Sequence, residues 1–197
     1  MRVLIATNNQ DKIKEIKEVL DDFEFFSLDD LGIKSDPVED ANTYEGNARI
    51  KAEAAKVLCP EGYAVLADDS GLSVESLDGA PGLYSARYAG INGEHPTYKD
   101  NCDKLLAALK GEKNRKAYFE SDIVMILPDG KTLHTVGVCE GKIATEPRGK
   151  NGFGYDPIFL PKAHDYKYTM AQLPEGGKNA ISHRGIALKK LKDLLDL

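Results

Sequence analysis

The chain has 197 residues, of which 42% are hydrophobic and 29% charged, and its formal net charge is −6. This composition is typical of a folded globular protein and excludes disordered and fibrous classes, and the length predicts one domain over residues 1–197. The negative net charge predicts that the protein has no nucleic-acid partner. Because the sequence has no run of about 20 apolar residues, we also predict no membrane association and a cytoplasmic location.

The first part of the chain predicts a strand, a polar turn and two helices. Residues 3–6 are apolar and residues 7–9 are polar, after which apolar residues recur at helical spacing. Asn42 or Thr43 can cap a second helix that runs to about Leu58. This order of elements is typical of an α/β protein.

A second strand is predicted over residues 63–67, and it runs directly into Asp68-Asp69-Ser70-Gly71. We expect the two carboxylates at the end of this strand, where their repulsion requires a cation or hydrogen-bond donors. Mg²⁺ is the natural candidate, because it takes one or two protein carboxylates, and Glu39 and Asp69 would suffice. The alternative is a polar turn, and these residues alone leave both open.

The second part of the chain predicts irregular segments, a hairpin and two helices. Glycines at 79–82 and 90–93 predict irregular backbone. A hairpin between alternating elements indicates a mixed sheet. The further predicted elements are a helix capped by Thr97, β-rich runs 117–127 and 132–139, an apolar run 158–160 and a final helix capped by Ser182.

Two sets of polar residues lie where a phosphate could bind. Thr7, Asn9 and Lys12 stand at a helix N-terminus, which favours anions, although Asn9 can equally cap the helix while Lys12 is solvated. Asn47 and Lys51 are four residues apart and share a helix face, although a helical lysine is commonly a surface charge. Each set is therefore open to a structural or a functional interpretation.

Aromatic and carboxylate groups in a glycine-rich loop, residues 153–156, suit recognition of a purine base by stacking and hydrogen bonding. A tight turn with core aromatics is the alternative. His183 and Arg184 offer donors to a carbonyl, or are surface groups near a helix cap. The cysteines lack metal or disulfide spacing and are predicted to be apolar, at least partly buried residues; they are Cys59, Cys102 and Cys139.

Together these motifs resemble the inosine triphosphate pyrophosphatases, also called XTP/dITP diphosphatases, over nearly the whole chain. The matching motifs are residues 6–9 with Lys12, Glu39, Asn47 with Lys51, residues 67–71, residues 80–82 with 84–88, residues 152–157 and residues 182–185. The resemblance implies a long mixed β-sheet flanked by helices, in two lobes with a nucleotide cleft between them, and a homodimer.

The resemblance also implies a role for each matched residue. Asp69, Lys12 and Lys51 would be catalytic, with Asp69 activating the attacking water, and Glu39 and Asp69 would bind Mg²⁺. The substrate, a purine nucleoside triphosphate, would contact Thr7, Asn8, Asn9, Lys12, Asn47, Lys51, Ser70, Phe153, Gly154, Tyr155, Asp156, Lys178, His183 and Arg184.

The implied reaction hydrolyses ITP, dITP or XTP to the monophosphate and pyrophosphate. Donors placed for the 6-keto group of inosine and xanthine would reject ATP. Three rivals stay open: a pyrophosphatase for pyrimidine or modified nucleotides, a nucleotide-binding regulator without turnover, and a general phosphatase that releases orthophosphate.

Overall fold

A computed structural model of the protein describes residues 1–90 and 96–196. The predicted segment at 90–93 therefore lies mostly outside the described residues. The strands are β1 (Arg2–Ile5), β2 (Glu24–Ser27), β3 (Ala64–Val74), β4 (Lys116–Ile126), β5 (Thr132–Ile143) and β6 (Phe159–Pro161). The α-helices are α1 (Gln10–Val19), α2 (Tyr44–Leu58), α3 (Tyr98–Ala108), α4 (Glu175–Ile181) and α5 (His183–Leu194).

Within the described residues, six strands form one sheet in the order β2-β1-β3-β4-β5-β6. Strand β1 pairs in parallel with β2 and with β3, whereas β5 and β6 are antiparallel. A tight turn, in which Leu127 N donates to Lys131 O at 2.8 Å, joins β4 to its neighbour β5. The predicted mixed sheet flanked by helices is confirmed.

Strand β3 corrects the prediction that the two carboxylates lie at a strand end. The strand continues without a break from Ala64 through Asp68 and Asp69 to Val74, so the polar-turn alternative is also wrong. Successive residues of a strand point to opposite faces of the sheet. Asp68 and Asp69 are therefore held apart by the pleat of the strand.

The described chain divides into two compact units. The first unit comprises residues 1–69, 121–137 and 183–197, and the second comprises residues 70–120 and 138–182. The expectation of a single domain stays a prediction.

In the first unit, successive residues of β3 are buried on alternate faces of the sheet. Ala64 and Leu66 of β3 pack with apolar residues of α1 and α5. Val65 and Ala67 pack with Ala48, Ala52 and Ala55 of α2. The alternation continues to the carboxylates, so Asp68 follows the face covered by α1 and α5, and Asp69 follows the face covered by α2.

The second unit has a separate apolar core. Leu72 and Val74 of β3 pack with Leu105 of α3 and with Phe119 and Phe159, whose ring centroids are 4.7 Å apart. The same core contains Tyr155, which precedes a single turn of 3₁₀-helix over Asp156–Ile158, and Ile158, which ends that turn. Tyr155 belongs both to this core and to the glycine-rich loop, so the core supports the loop.

The helix starts follow the predicted capping chemistry. The Thr43 hydroxyl accepts a hydrogen bond from Gly46 N at 3.0 Å, so Thr43, and not Asn42, caps α2. Thr97 caps α3 as predicted, and together with Asp100 it forms a capping box. Among the helices that the structure describes, none has both the length and the apolar character of a membrane span.

Candidate active site

Asp68 lies at the centre of a buried network of charges on the α1 and α5 face. Its Oδ2 is 2.7 Å from the Lys12 ammonium nitrogen and 3.1 Å from a guanidinium nitrogen of Arg184. Its Oδ1 accepts a hydrogen bond from the Ser121 hydroxyl, and Arg184 also pairs with Glu15. The Arg184 side chain is fully buried, so both carboxylates are needed to offset its charge.

The electrostatics of this network favour an ionised Asp68. Burial disfavours the carboxylate, but Arg184, Lys12 and Ser121 together outweigh it and hold the pKa of Asp68 well below 3.8. Burial and the charge of Arg184 lower the pKa of Lys12, against the opposing attraction of Asp68. Lys12 is 15% exposed while Asp68 is inaccessible, so the lysine alone of this pair can meet an anion from solvent.

On the opposite face of the strand, Asp69 pairs with Lys51 of α2. The Lys51 ammonium is 2.8 Å from Asp69 Oδ1 and 3.0 Å from Glu39 Oε2. Asn47 donates to Asp69 Oδ2 at 3.3 Å and accepts from Ala41 N at 3.0 Å. The spacing of Asn47 and Lys51 on one helix face thus brings both to Asp69, and the loop before α2 brings Glu39 to the same lysine.

The pKa of Asp69 is shifted in the opposite direction from that of its neighbour Asp68. Burial raises the pKa of Asp69, and the charges of Lys51 and Lys12 only partly oppose that rise. The pKa of Lys51 is raised, because Asp69 and Glu39 outweigh the effect of its burial. A carboxylate with a raised pKa is the kind of group that general base catalysis uses.

The donor set around Lys51 is compatible with Mg²⁺. Glu39 and Asp69 each place a carboxylate oxygen within 3.0 Å of one nitrogen, so the two oxygens are near one another. Mg²⁺ typically takes one or two carboxylates and completes its octahedron with water and phosphate oxygens. Among the described residues, no group of three or more His, Cys, Asp or Glu side chains is placed to hold a metal ion.

The turn before α1 has mainly a capping geometry. Asn9 Oδ1 accepts from Lys12 N at 3.1 Å, and the Thr7 hydroxyl accepts from Asn9 N at 3.2 Å. The capping alternative for Asn9 therefore holds, whereas Lys12 is paired with Asp68 and is not a solvated surface charge. Asn8 is exposed and Thr7 is partly exposed. Their roles in substrate binding stay predictions.

In the second unit, the glycine-rich loop is built around Asp156. Asp156 Oδ2 accepts from Phe153 N at 2.8 Å and pairs with the buried Lys178 ammonium, which lies 4.7 Å from the centroid of the Phe153 ring. A Cβ on Gly152 would come within 2.0 Å of Asp156 Oδ2. The loop therefore requires glycine at 152, and it brings together Phe153, Asp156 and Lys178, whose role in binding the base stays a prediction.

Tyr155 and the cysteines are core residues. The Tyr155 hydroxyl donates to Ser85 O at 2.8 Å, and burial raises the pKa of the phenol. Gly154 accepts from the Cys102 thiol at 3.4 Å. Burial raises the pKa values of Cys102 and Cys139 to about 12, which removes them as nucleophiles, and all three cysteines are free. The prediction of at least partly buried, unpaired cysteines is confirmed.

Three further predicted substrate residues lie outside the glycine-rich loop. His183 and Arg184 open α5 and belong to the first unit, both with little exposure. Ser70 follows Asp69 in β3 and is the first residue of the second unit. The alternative that His183 and Arg184 are surface groups is wrong, because both are buried.

Several polar and charged residues in or near the buried network of Asp68 were not predicted from the sequence. Glu15 is a buried acid on the apolar face of α1, three positions after Lys12, and this interruption of an apolar stripe was an available signal. Ser121 on β4 carried no such signal. Also on β4, Asp122 lies 2.7 Å from His134 Nε2, and burial raises the pKa of this carboxyl.

Comparison with known proteins supplies a family context for this geometry. A sequence profile of the Ham1 family matches residues 3–194. A dITP/XTP pyrophosphatase of Desulfotalea psychrophila is 47% identical over 193 residues, which cover 96% of this chain and 83% of that protein. That of Bacillus licheniformis is 47% identical over 198 residues, which cover 98% and 97%. The solved structure of the Staphylococcus aureus Ham1 protein matches with a TM-score of 0.84 and 42% identity, over 100% of this chain and 98% of that one.

Proposed function

Since the chain belongs to the Ham1 family, we propose that it hydrolyses deaminated purine nucleoside triphosphates, namely ITP, dITP and XTP. Water attacks the α-phosphorus, the bond between the α-phosphorus and its bridging oxygen breaks, and the products are the nucleoside monophosphate and pyrophosphate. Relatives named dITP/XTP pyrophosphatase, similar over nearly their full length, support this substrate class. The reaction would remove damaged purines from the nucleotide pool.

The observation that carries the proposal is the position of Lys51. Its ammonium lies within 3.0 Å of both Asp69 and Glu39, so a candidate phosphate-binding cation lies beside two candidate metal ligands, one of which is also the candidate base. Hydrolysis at the α-phosphorus needs these three functions at one place: charge neutralisation, a metal, and orientation of water. A simple binding protein does not need all three, whereas a general phosphatase does and differs in its product, orthophosphate.

Each of the site residues has a distinct role in the proposed reaction. Lys12 and Lys51 offset the negative charge of the phosphates, and Asn47 and Lys51 hold Asp69 in place. Asp69 accepts the proton of the attacking water and later returns it to solvent. Glu39 and Asp69 would hold Mg²⁺, which would supply positive charge to the phosphates and polarise the water when bound. The reaction requires no covalent intermediate.

Recognition of the base is assigned to the glycine-rich loop. The Phe153 ring offers a stacking surface, and Asp156 and Lys178 offer an acceptor and a donor that are already paired with each other. A donor set built for a 6-keto group rejects adenine, because its donors then lose their acceptor opposite an amino group. His183 and Arg184 are assigned to the base by family resemblance.

Three further properties belong to the proposal. Dependence on Mg²⁺ is supported by the oxygen ligands Glu39 and Asp69. A homodimer is supported by family resemblance. A cytoplasmic location is supported by the three free thiols, since reducing compartments keep cysteines unpaired.

The test is release of pyrophosphate from ITP, XTP, dITP, GTP and ATP, with Mg²⁺ and with Mg²⁺ removed by chelation. We expect turnover of the first three that requires the metal. Asp69→Asn should abolish it, while Asp129→Asn, which alters an exposed aspartate of the β4–β5 turn, should not. Orthophosphate release would indicate a phosphatase, binding without turnover a regulator, and preference for pyrimidine triphosphates the related enzyme class. Any of the three would overturn the proposal.

A further inference from the structure

The Phe153 ring stands on a backbone that does not by itself fix the ring's orientation. The residues on either side, Gly152 and Gly154, have φ values of +72° and +61°, and neither has a side chain to pack against the ring. Asp156 fixes the main chain through Phe153 N. The orientation of the ring must therefore be set by groups that contact it from other elements.

One of these groups is the Lys178 ammonium, and another is the ring of Tyr98. The Tyr98 and Phe153 centroids are 5.8 Å apart with an angle of 45° between the ring planes, within the range of favourable aromatic pairs. Lys178 is already ion-paired with Asp156, so its position is fixed by the loop itself. Tyr98 belongs to a different element and is an independent support.

Hydrogen bonds at the start of α3 hold the backbone of Tyr98 in place. It is the first residue of α3, and the capping box of Thr97 and Asp100 fixes the backbone at that point. Asn101 anchors the same turn, because its side chain accepts from Ala89 N at 2.7 Å and donates to Ala86 O at 3.1 Å. Tyr98 is nevertheless 44% exposed, so it is not held there as a core residue.

We propose that Tyr98 is a positioning residue for base recognition, which holds the Phe153 ring in the orientation that stacks on the purine. The inference rests on the proposed function, because it assumes that Phe153 contacts the base. Tyr98 acts through Phe153, so its removal affects affinity for the nucleotide and leaves the chemical step, assigned to Asp69, Lys12 and Lys51, nearly unchanged.

The test is a double-mutant cycle on the affinity for inosine monophosphate, measured by calorimetry. Tyr98→Ala should raise the Kd about three- to tenfold, the range expected for loss of an aromatic pair. In a Phe153→Ala background the same change should alter the Kd by less than about twofold, because the pair no longer exists. Tyr98→Phe should restore wild-type affinity.

Two measurements separate positioning from loss of structure. Tyr118→Ala removes another exposed tyrosine of the second unit, on β4, and should leave the Kd unchanged. With ITP as substrate, Tyr98→Ala should raise KM by the same factor as the Kd while kcat stays within about twofold, a split that a general loosening of the fold would not give.

The outcomes distinguish this inference from the function on which it rests. If the wild type hydrolyses ITP but the Tyr98 effect persists undiminished without Phe153, the positioning role is wrong and the function stands. If the wild type binds inosine monophosphate without hydrolysing ITP, the function is wrong and the affinity cycle still decides the role of Tyr98. Absence of both binding and hydrolysis overturns both.

Discussion

Asp68 and Asp69 are the same residue type at adjacent positions of one strand, yet their surroundings differ in almost every respect. Asp68 is inaccessible, is offset by Lys12 and Arg184, and has a pKa well below 3.8. Asp69 is 13% exposed, pairs with Lys51, and has a raised pKa. The difference arises from the helices that cover the two faces of the sheet.

This comparison distinguishes Asp68, which stabilises the fold, from Asp69, to which the proposed function assigns the chemical step. Asp68 is held ionised within a network whose charges nearly cancel, so its contribution is to bury Arg184 and to hold Lys12 in place. Asp69 keeps some exposure and a higher affinity for a proton, which suits a group that accepts one. The four predictions below test this division of roles, beginning with the largest expected effect.

Asp69→Asn should lower kcat for ITP by about 10³-fold, because the amide cannot accept the proton of the attacking water. Its free energy of unfolding should change by less than about 1 kcal/mol, since burial already disfavours the ionised carboxyl. Steady-state pyrophosphate release and urea denaturation measure the two quantities. A variant that keeps a tenth or more of the wild-type kcat would contradict the role of Asp69.

Asp68→Asn should lower the free energy of unfolding by about 3 kcal/mol, because it leaves the buried Arg184 guanidinium with Glu15 as its remaining carboxylate partner in this network. Urea denaturation of this variant beside Asp69→Asn provides the direct contrast. Equal losses of stability in the two variants would remove the distinction between the two carboxylates.

Lys51→Met should lower kcat/KM for ITP by about 100-fold, because it removes a charge that the triphosphate requires. The matched control is Lys14→Met, which removes a lysine of α1 that is 58% exposed and pairs with Glu18. The control should change kcat/KM by less than about twofold, as is usual for a surface ion pair. A similar loss in both variants would show a general effect of net charge.

The contribution of Asp68 to stability should depend on pH with a definite sign. Its pKa is lower in the folded chain than the ordinary value of 3.8, so its stabilisation is complete above that value and is lost as the pH falls further. The difference in unfolding free energy between wild type and Asp68→Asn should therefore be constant from about pH 6 to about pH 4.5 and shrink below about pH 4. A difference that instead grows with falling pH would indicate a raised pKa.

Much of the fold follows from hydrophobic periodicity and capping chemistry. The helices capped by Asn9, Thr43 and Thr97, the hairpin and the final helix all occur as predicted. Strand β2 and helix α4 were not predicted. Strand β2 has only four residues and gains its order from parallel pairing with β1, which is a tertiary effect that no local pattern reports.

The course of β3 was the main error, and its cause is electrostatic. Asp, Ser and Gly are common in turns and depleted in strands, so residues 68–71 carry a local signal against a strand. Cations from α1, α2 and α5 override that signal by offsetting each carboxylate on its own face. The grouping of Lys51, Asn47 and Glu39 about Asp69 was open to prediction, whereas the buried partners of Asp68 came from elements distant in sequence.

The alternation along β3 also constrains how the gene can change. Insertion or deletion of one residue before Asp68 would exchange the faces of the two carboxylates. An insertion would bring Asp68 to Lys51, and a deletion would bring Asp69 to Arg184, while the other carboxylate would lose its partners. A two-residue change would keep the faces but move both carboxylates by about 7 Å along the strand, beyond the reach of their partners. The apolar residues 64–67 should therefore tolerate substitution by other apolar residues far better than any change in length.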